Sequence, residues 1–408
     1  MERKRIVITG VGVVAPNGIG KEEFWNNCFA GVSGIKPITL FDTSKYRCHL
    51  AGEISNFQPE KYLGLKGLRN LDRTTLLSLV AAKLAIEDAH LEITEKNTHD
   101  MGVVLGSTMG SVHSISSFDL TSLREGPRYV NPALFPNTVI NSPASQVAIR
   151  FGIKGLCSTI GTGFTASLDA LEYSTDMLQL GRVNTVLVGG VEELCIETFT
   201  AFSSLGLLIS SNQDISTAPD HLRRKRVFLG EGAGMLVLET EESAIARSAP
   251  IYGEVLAVNG SFDVDSAAKY QVSGGHAESV VRKTLELGGI HPTDVDTLCV
   301  WSAAEVTSPI ADKEEIFALQ QVFGNYLKDL FKLSVKSLVG ECFSAMGALQ
   351  LAAGIGTTLN KHNATVLITT YSQIGTYTAA IVKGGNVVAS PRFIEGAQQE
   401  SSWLSLHP

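Results

Sequence analysis

The segment Gly161-Thr162-Gly163-Phe164-Thr165-Ala166-Ser167-Leu168-Asp169-Ala170-Leu171 has the form of a tight turn leading a strand into a helix. Glycines bracket the turn, and Ala, Leu, Met and Glu favour the helix beyond it. A side chain at position 164 would stand at the helix N-terminus, where backbone N–H groups and the dipole favour negative charge. A cysteine there would lose its proton readily and act as a nucleophile. The residue is Phe164, which cannot. Its ring either simply fills the space left by a missing nucleophile or also occupies volume that a substrate would need.

Other reactive types offer little in its place. Cys157 lies seven residues before Phe164, on the strand leading into the turn, and reads as a small buried apolar residue rather than a displaced nucleophile. Glu341 could be a relocated acid or base; the favoured alternative is a carboxylate satisfied by a neighbouring donor such as Lys336. His113, His221 and His276 lack metal-ligand spacing. The six cysteines (Cys28, Cys48, Cys157, Cys195, Cys299, Cys342) show no CxxC pairing, which argues against zinc and for reduced, cytosolic thiols. Gly10-Val11-Gly12-Val13-Val14-Ala15 loosely matches a dinucleotide fingerprint, but Pro16-Asn17-Gly18 makes a turn where the helix should begin. The basic run Arg223-Arg224-Lys225-Arg226 could attract an acidic partner protein; a solvated loop is the favoured reading.

Short apolar runs alternate with amphipathic segments, as in βα layering. Strands are predicted at Arg5–Val14, Met101–Leu105, Thr185–Val188, Met235–Glu239, Ile251–Val258, Thr297–Trp301, Lys332–Val335, Thr365–Thr370 and Ala379–Val382. Helices are predicted at Thr74–Ala89, Ser142–Phe151, Thr165–Leu180, Ala277–Leu287, Asp312–Phe323 and Ser344–Leu359. The strand, turn and small-residue helix at 155–180 are echoed at 332–359, and the strand at 185–188 is echoed at 365–370. Ser248-Ala249-Pro250 is a plausible boundary, giving halves 1–248 and 249–408. The tail after Ser390 is polar and expected to pack poorly.

A chain of 408 residues, 44% hydrophobic and with 39 glycines, suits a well-buried α/β core. Its net charge of -8 argues against nucleic acid and anionic membranes as partners. Met1-Glu2-Arg3-Lys4-Arg5 and the apolar run after it imitate a signal peptide, yet Thr9, Gly10 and Gly12 interrupt the run, so it reads as a first buried strand. No stretch is long and apolar enough for a spanning helix, and a cytoplasmic location is expected.

From Arg5 to about Val382 the chain resembles the β-ketoacyl synthases, the condensing enzymes of fatty acid and polyketide synthesis. The markers in order are Ile6-Val7-Ile8-Thr9-Gly10-Val11-Gly12, Val104-Leu105-Gly106-Ser107, Gly126-Pro127-Arg128, the turn at Phe164, Val188-Gly189-Gly190, and Leu229-Gly230-Glu231-Gly232-Ala233-Gly234. The resemblance implies a thiolase-like fold, two pseudo-repeated halves in a five-layer α/β/α/β/α body. It puts the catalytic Cys at Phe164 and two catalytic histidines at Ala304 and Glu341. Lys336, Asp312, Lys313 and Glu315 are retained. The family's glycine-rich oxyanion turn appears as Ser372-Gln373-Ile374-Gly375-Thr376. Four altered parts imply that condensation has been lost.

Within that family, chain-length factors of type II polyketide synthases lack the Cys and pair with an active ketosynthase. Their familiar members carry Gln where this chain has Phe164. The resemblance to them implies a heterodimer, with the strand Cys157 to Thr162 at a two-fold-like interface. The growing chain would start on the partner's Cys and run in a shared tunnel. Ser111, Ser114 and Phe118, on one helical face, and Leu134 would line this subunit's side, with Phe164 filling its own pocket. The other partner implied is an acyl carrier protein, which brings the phosphopantetheine; no cofactor or metal of the chain's own is expected. Two alternatives are an enzyme of altered chemistry, a malonyl decarboxylase or acyltransferase, and a purely structural partner of a ketosynthase.

Overall fold

The computed structural model describes residues 3–209, 227–265, 274–302, 313–359, 361, 363–372, 375–385 and 387. The elements follow one another as β1 (Ile6–Ala15), β2 (Gly18–Ile19), α1 (Lys21–Phe29), β3 (Ile35–Pro37), β4 (Leu50–Gly52), α2 (Glu60–Leu63), α3 (Arg73–Asp88), β5 (Met101–Gly106), α4 (Val112–Glu125), α5 (Ser142–Phe151), β6 (Cys157–Ile160), α6 (Ala166–Gln179), β7 (Thr185–Glu192), α7 (Ile196–Ser204), β8 (Gly232–Thr240) and α8 (Glu241–Ala246). The second half continues with β9 (Gly253–Phe262), α9 (Gly274–Gly288), β10 (Thr297–Cys299), α10 (Lys313–Phe323), β11 (Phe331–Leu333), α11 (Lys336–Val339), α12 (Ala345–Thr358), β12 (Thr365–Tyr371) and β13 (Thr376–Gly384).

The repeat read from the sequence is present in the sheet. In the first half the strand order is β1-β8-β7-β5-β6, and in the second it is β9-β13-β12-β10-β11. The pairings match one for one. β5 runs parallel to β6 and β7, as β10 does to β11 and β12, while β7–β8–β1 and β12–β13–β9 are antiparallel. The halves join edge to edge where Val7 and Ile8 meet Glu254 and Gly253.

The layers follow from which faces are apolar. β1, β5, β7 and β8 are buried along their whole length, so they need cover on both sides. α3 and α5 cover the outside of the first half and α9 that of the second, with α10 against α9. α6 and α12 lie between the halves, and α12 is buried at thirteen of its fourteen positions. The body is thus the five-layer α/β/α/β/α arrangement of the thiolase-like fold. A Cβ on Gly10 or Gly12 would meet the Ala85 or Ala81 carbonyl oxygen of α3 at 2.3 or 2.0 Å. Those glycines bring a helix close to a strand, which accounts for the loose nucleotide fingerprint.

Several bounds move. The helix Ser142–Phe151 matches its prediction, whereas β9 runs on to Phe262 because β13 pairs with Asn259, Gly260 and Ser261. Cys157 is a correction: it is exposed, not buried. Among the described residues β6 is the last strand on its side of the sheet, with β5 alone beside it. No described helix is long and apolar enough to cross a membrane.

Candidate functional site

The turn after β6 is held by one carboxylate. Thr165 donates its hydroxyl to Asp169 Oδ2 at 2.8 Å, Thr162 donates to the same oxygen, and Thr378 of β13 donates to Oδ1. Asp169, on the first turn of α6, therefore ties the turn to the second half of the chain. Burial holds its carboxyl above the usual range. Gly163 takes φ +80, which a Cβ would strain. A short 3-10 turn, Gly163–Thr165, then feeds α6, so Phe164 stands at the helix N-terminus as read from the sequence.

Phe164 is half-buried in an aromatic stack. Its ring stacks on Trp301 at 6.0 Å and meets Phe343 edge-on at 5.0 Å; Phe343 in turn meets Phe202 at 5.4 Å. Such pairs add about 0.5–1.5 kcal/mol each beyond burial. Glu315 fixes Trp301 from below: it accepts the Trp301 and Ser302 backbone N–H at 2.7 and 2.8 Å and the Thr369 hydroxyl at 3.0 Å. Phe343 is fully buried with φ +46, a conformation that costs a non-glycine residue about 1–3 kcal/mol and persists only where packing dictates it.

Lys336 lies over the Trp301 ring, its Nζ 3.7 Å from the ring centroid. The same ammonium is 2.7 Å from Glu341 Oε2, and both side chains are buried. Glu341 Oε1 also accepts the Phe343 backbone N–H at 2.9 Å. Glu341 is thus a satisfied partner of Lys336, the favoured alternative at the sequence level. Lys336, Trp301, Phe164, Phe343 and Phe202 form one continuous packed column. Trp301, Phe343 and Phe202 were not singled out from the sequence. A cluster of uncommon aromatics beside the altered motif positions was the available signal.

None of the six thiols is poised to react. Burial pushes Cys28 up to about 12, Cys195 up to about 11, and Cys48, Cys299 and Cys342 above the ordinary value, and partial desolvation raises the exposed Cys157. Thiolate is the nucleophile, so each stays protonated near neutral pH. Cys342, beside Glu341, is pushed well up by burial and by the neighbouring carboxylates. Among the described residues no group of His, Cys, Asp and Glu could hold a metal. Ala304, Asp312, Gln373, Ile374, His221 and the basic run 223–226 lie outside the described residues. Lys313 is exposed.

The tunnel candidates lie around α4. Ser111 is the N-cap residue of α4 and is buried; Ser114 and Phe118 are half-buried on the helix. Phe118 faces Phe135 at 6.0 Å. Leu134 is exposed in the 3-10 segment Pro132–Thr138 that packs on α4. No residue of α4 is fully buried, and Leu120, Leu123, Tyr129, Leu134, Phe135 and Ile140 present apolar surface to solvent.

The model of the β-ketoacyl synthase N-terminal domain matches residues 3–244, and that of the C-terminal domain residues 252–362. The 3-oxoacyl-[acyl-carrier-protein] synthase 2 of Staphylococcus aureus strain COL is 33% identical over 351 residues, 86% of this chain and 84% of that protein. The chain belongs to the β-ketoacyl synthase family. The synthase 2 of Coxiella burnetii is 32% identical over 359 residues, 87% of this chain and 86% of its own length. Among solved structures, the ishigamide ketosynthase/chain length factor matches with TM-score 0.80 and 25% identity, over 94% of this chain and 100% of that one. A β-ketoacyl synthase of Burkholderia phymatum shares the fold at TM-score 0.80 and 22% identity, over the same shares of each chain.

Proposed function

We propose that this chain is a non-catalytic, chain-length-factor-like subunit of a type II polyketide synthase, which pairs with an active ketosynthase and shapes the tunnel for a growing acyl chain. The observation that carries this reading is the column at the altered site. Where a ketosynthase motif would present its nucleophile, Phe164 is wedged between Trp301 and Phe343, and Lys336 is tied to Glu341. An acyl thioester and a phenyl ring cannot share that volume. No other thiol is available as thiolate.

Pairing is supported by two surfaces. β6 ends the sheet with Cys157 exposed, and an open strand edge is a template for continuing the sheet into a second subunit. The uncovered apolar residues of α4 and the segment after it exceed scattered exposure and suit a protein interface. The ishigamide match joins ketosynthase and chain length factor in its own name. The acyl carrier protein would meet this complex as the carrier of phosphopantetheine and malonyl units. The curated relatives are named as synthases, which keeps an enzyme of altered chemistry as the competing reading.

The test is reconstitution with a cysteine-bearing ketosynthase from the same source and malonyl-loaded acyl carrier protein. The expected result is a stable 1:1 complex whose interface buries well over about 2,000 Å², and product only when both subunits are present. β-Ketoacyl product, or decarboxylation of malonyl-carrier protein, from this chain alone refutes the reading. So does a monomer indifferent to the ketosynthase.

A further inference from the structure

The start of α4 is not capped by its own residues. Ser111 occupies the N-cap position, yet its side chain makes no cap bond; its hydroxyl is buried without a hydrogen-bond partner among the described residues. The first turn holds no acidic residue either. Four backbone N–H groups at a helix N-terminus need acceptors, and that of His113 finds one just past the end of β7.

Glu192 is buried. Its Oε1 accepts the Met109 backbone N–H at 3.0 Å and the Ser107 hydroxyl at 3.1 Å; its Oε2 accepts the Thr108 N–H at 2.9 Å and the Ser344 hydroxyl at 2.7 Å. Burial holds this carboxyl above its usual range. The next residue, Glu193, accepts the His113 backbone N–H at 3.1 Å, in the first turn of α4. Glu197 of α7 completes the hold, 3.1 Å from His113 Nδ1. One carboxylate therefore fixes the loop into α4 and joins it to the N-cap of α12, next to the aromatic column. A second fixes the first turn.

We propose that Glu192 and Glu193 are positioning residues for chain-length control, setting from the end of β7 where α4 begins and so how deep the shared tunnel runs. The inference rests on the reading of α4 as tunnel wall. One extension adds about 2.5 Å of acyl chain, about half the 5.4 Å pitch of a helix, so a small shift of the first turn is enough to admit or exclude a unit. Burial pushes the Glu193 carboxyl up to about 8. It is then mainly protonated at neutral pH, and Gln is its close mimic in charge, shape and acceptor.

The experiment uses the reconstituted complex with Glu193→Gln, Glu193→Ala and, as reference for tunnel control, Ser114→Phe. It reads the ratio of product masses and the amide exchange of residues 111–115. Glu193→Gln should keep both as in wild type. Glu193→Ala should speed exchange of the His113 amide at least about tenfold and add or remove at least one extension in a substantial share of product. If Glu193→Ala does not assemble, His113→Pro deletes the donor instead, in the first turn, where the backbone N–H has no partner within the helix, and the mass ratio should shift likewise. A shifted ratio with Ser114→Phe but none with Glu193→Ala or His113→Pro overturns this inference and leaves tunnel control standing. An unshifted ratio with Ser114→Phe overturns both. Equal effects of Gln and Ala, or a fall in turnover at constant mass ratio, also overturn it.

Discussion

Replacing Phe164 tests whether the altered site is a packed core or an impaired active site. The ring has two aromatic neighbours, Trp301 at 6.0 Å and Phe343 at 5.0 Å. Losing both pairs costs about 1–3 kcal/mol. Truncating a fully buried phenylalanine costs about 3–5 kcal/mol in total, and the ring is only half-buried. A loss of about 3 kcal/mol is therefore expected for Phe164→Ala and slightly less for Phe164→Cys. At about 2.1 cal/mol/K per residue, a chain of this length has an unfolding entropy near 0.9 kcal/mol/K, so Tm should fall by about 3–4 °C. Calorimetry on the ketosynthase complex reads that shift, and the carrier-protein assay on the same sample reads chemistry. Phe164→Cys should give no condensation by this chain, because the resemblance puts the family's two histidines at Ala304 and Glu341, and Lys336 is held by Glu341. A Tm unchanged within 1 °C would show that the column does not pack as described. Condensation restored by Phe164→Cys alone would refute the reasoning outright.

Four further outcomes follow. Glu341→Gln should destabilise the chain by about 3–5 kcal/mol, because the buried Lys336 ammonium loses its partner; adding Lys336→Met should recover much of it, measured by urea unfolding. Glu193 has a raised folded-state value, from 4.5 to about 8, so its protonated form suits the fold. Its stability contribution is complete below about pH 4.5 and is lost as pH rises towards 8; Glu193→Gln should match wild type in Tm at pH 5 and exceed it at pH 8.5. Amides of 157–160 should gain exchange protection on adding the ketosynthase if β6 is the joining edge, and no gain would argue against that edge. Phe118→Ala should lengthen the product by opening space beside Phe135, unless α4 collapses into it; an unchanged mass spectrum from a paired complex would make Phe118 a packing residue.

The layered fold was legible because its evidence is local. Buried strands such as β7 are continuous apolar runs, and α5 ends where Gly152 turns left-handed at φ 71. The repeat of strand, turn and small-residue helix was visible for the same reason. Cys157 was misread because apolar character and strand length say nothing about which strand ends a sheet; that depends on the crossovers. Trp301 and Phe343 were passed over because their meaning is tertiary. Phe164 comes from the turn before α6, Trp301 from the end of β10 and Phe343 from the turn before α12, and only the packed halves bring the three together. The Lys336–Glu341 pair was legible because its partners lie five residues apart. Glu192 and Glu193 lie close after the motif Val188-Gly189-Gly190, yet their partners are distant hydroxyls and the backbone amides of Thr108, Met109 and His113, and amides carry no sequence signal.

The column also explains why the altered site persists as a unit. A lone Phe at position 164 could revert to Cys at small cost if its surroundings still fitted a thioester. Here Trp301 and Phe343 have closed around the ring, and Phe343 holds a left-handed backbone that only this packing maintains. Glu341 occupies Lys336 and accepts the Phe343 N–H, so the charge pair and the aromatic column share a residue neighbour. A histidine at 341 would strand the Lys336 charge, and a cysteine at 164 would leave a cavity between two rings. Each single step towards a condensing site costs stability and gains no chemistry until the others are made. Contacts coupled in this way are not additive. A partner subunit of the kind proposed would keep the scaffold, with its edge strand and α4, while the altered site serves as core.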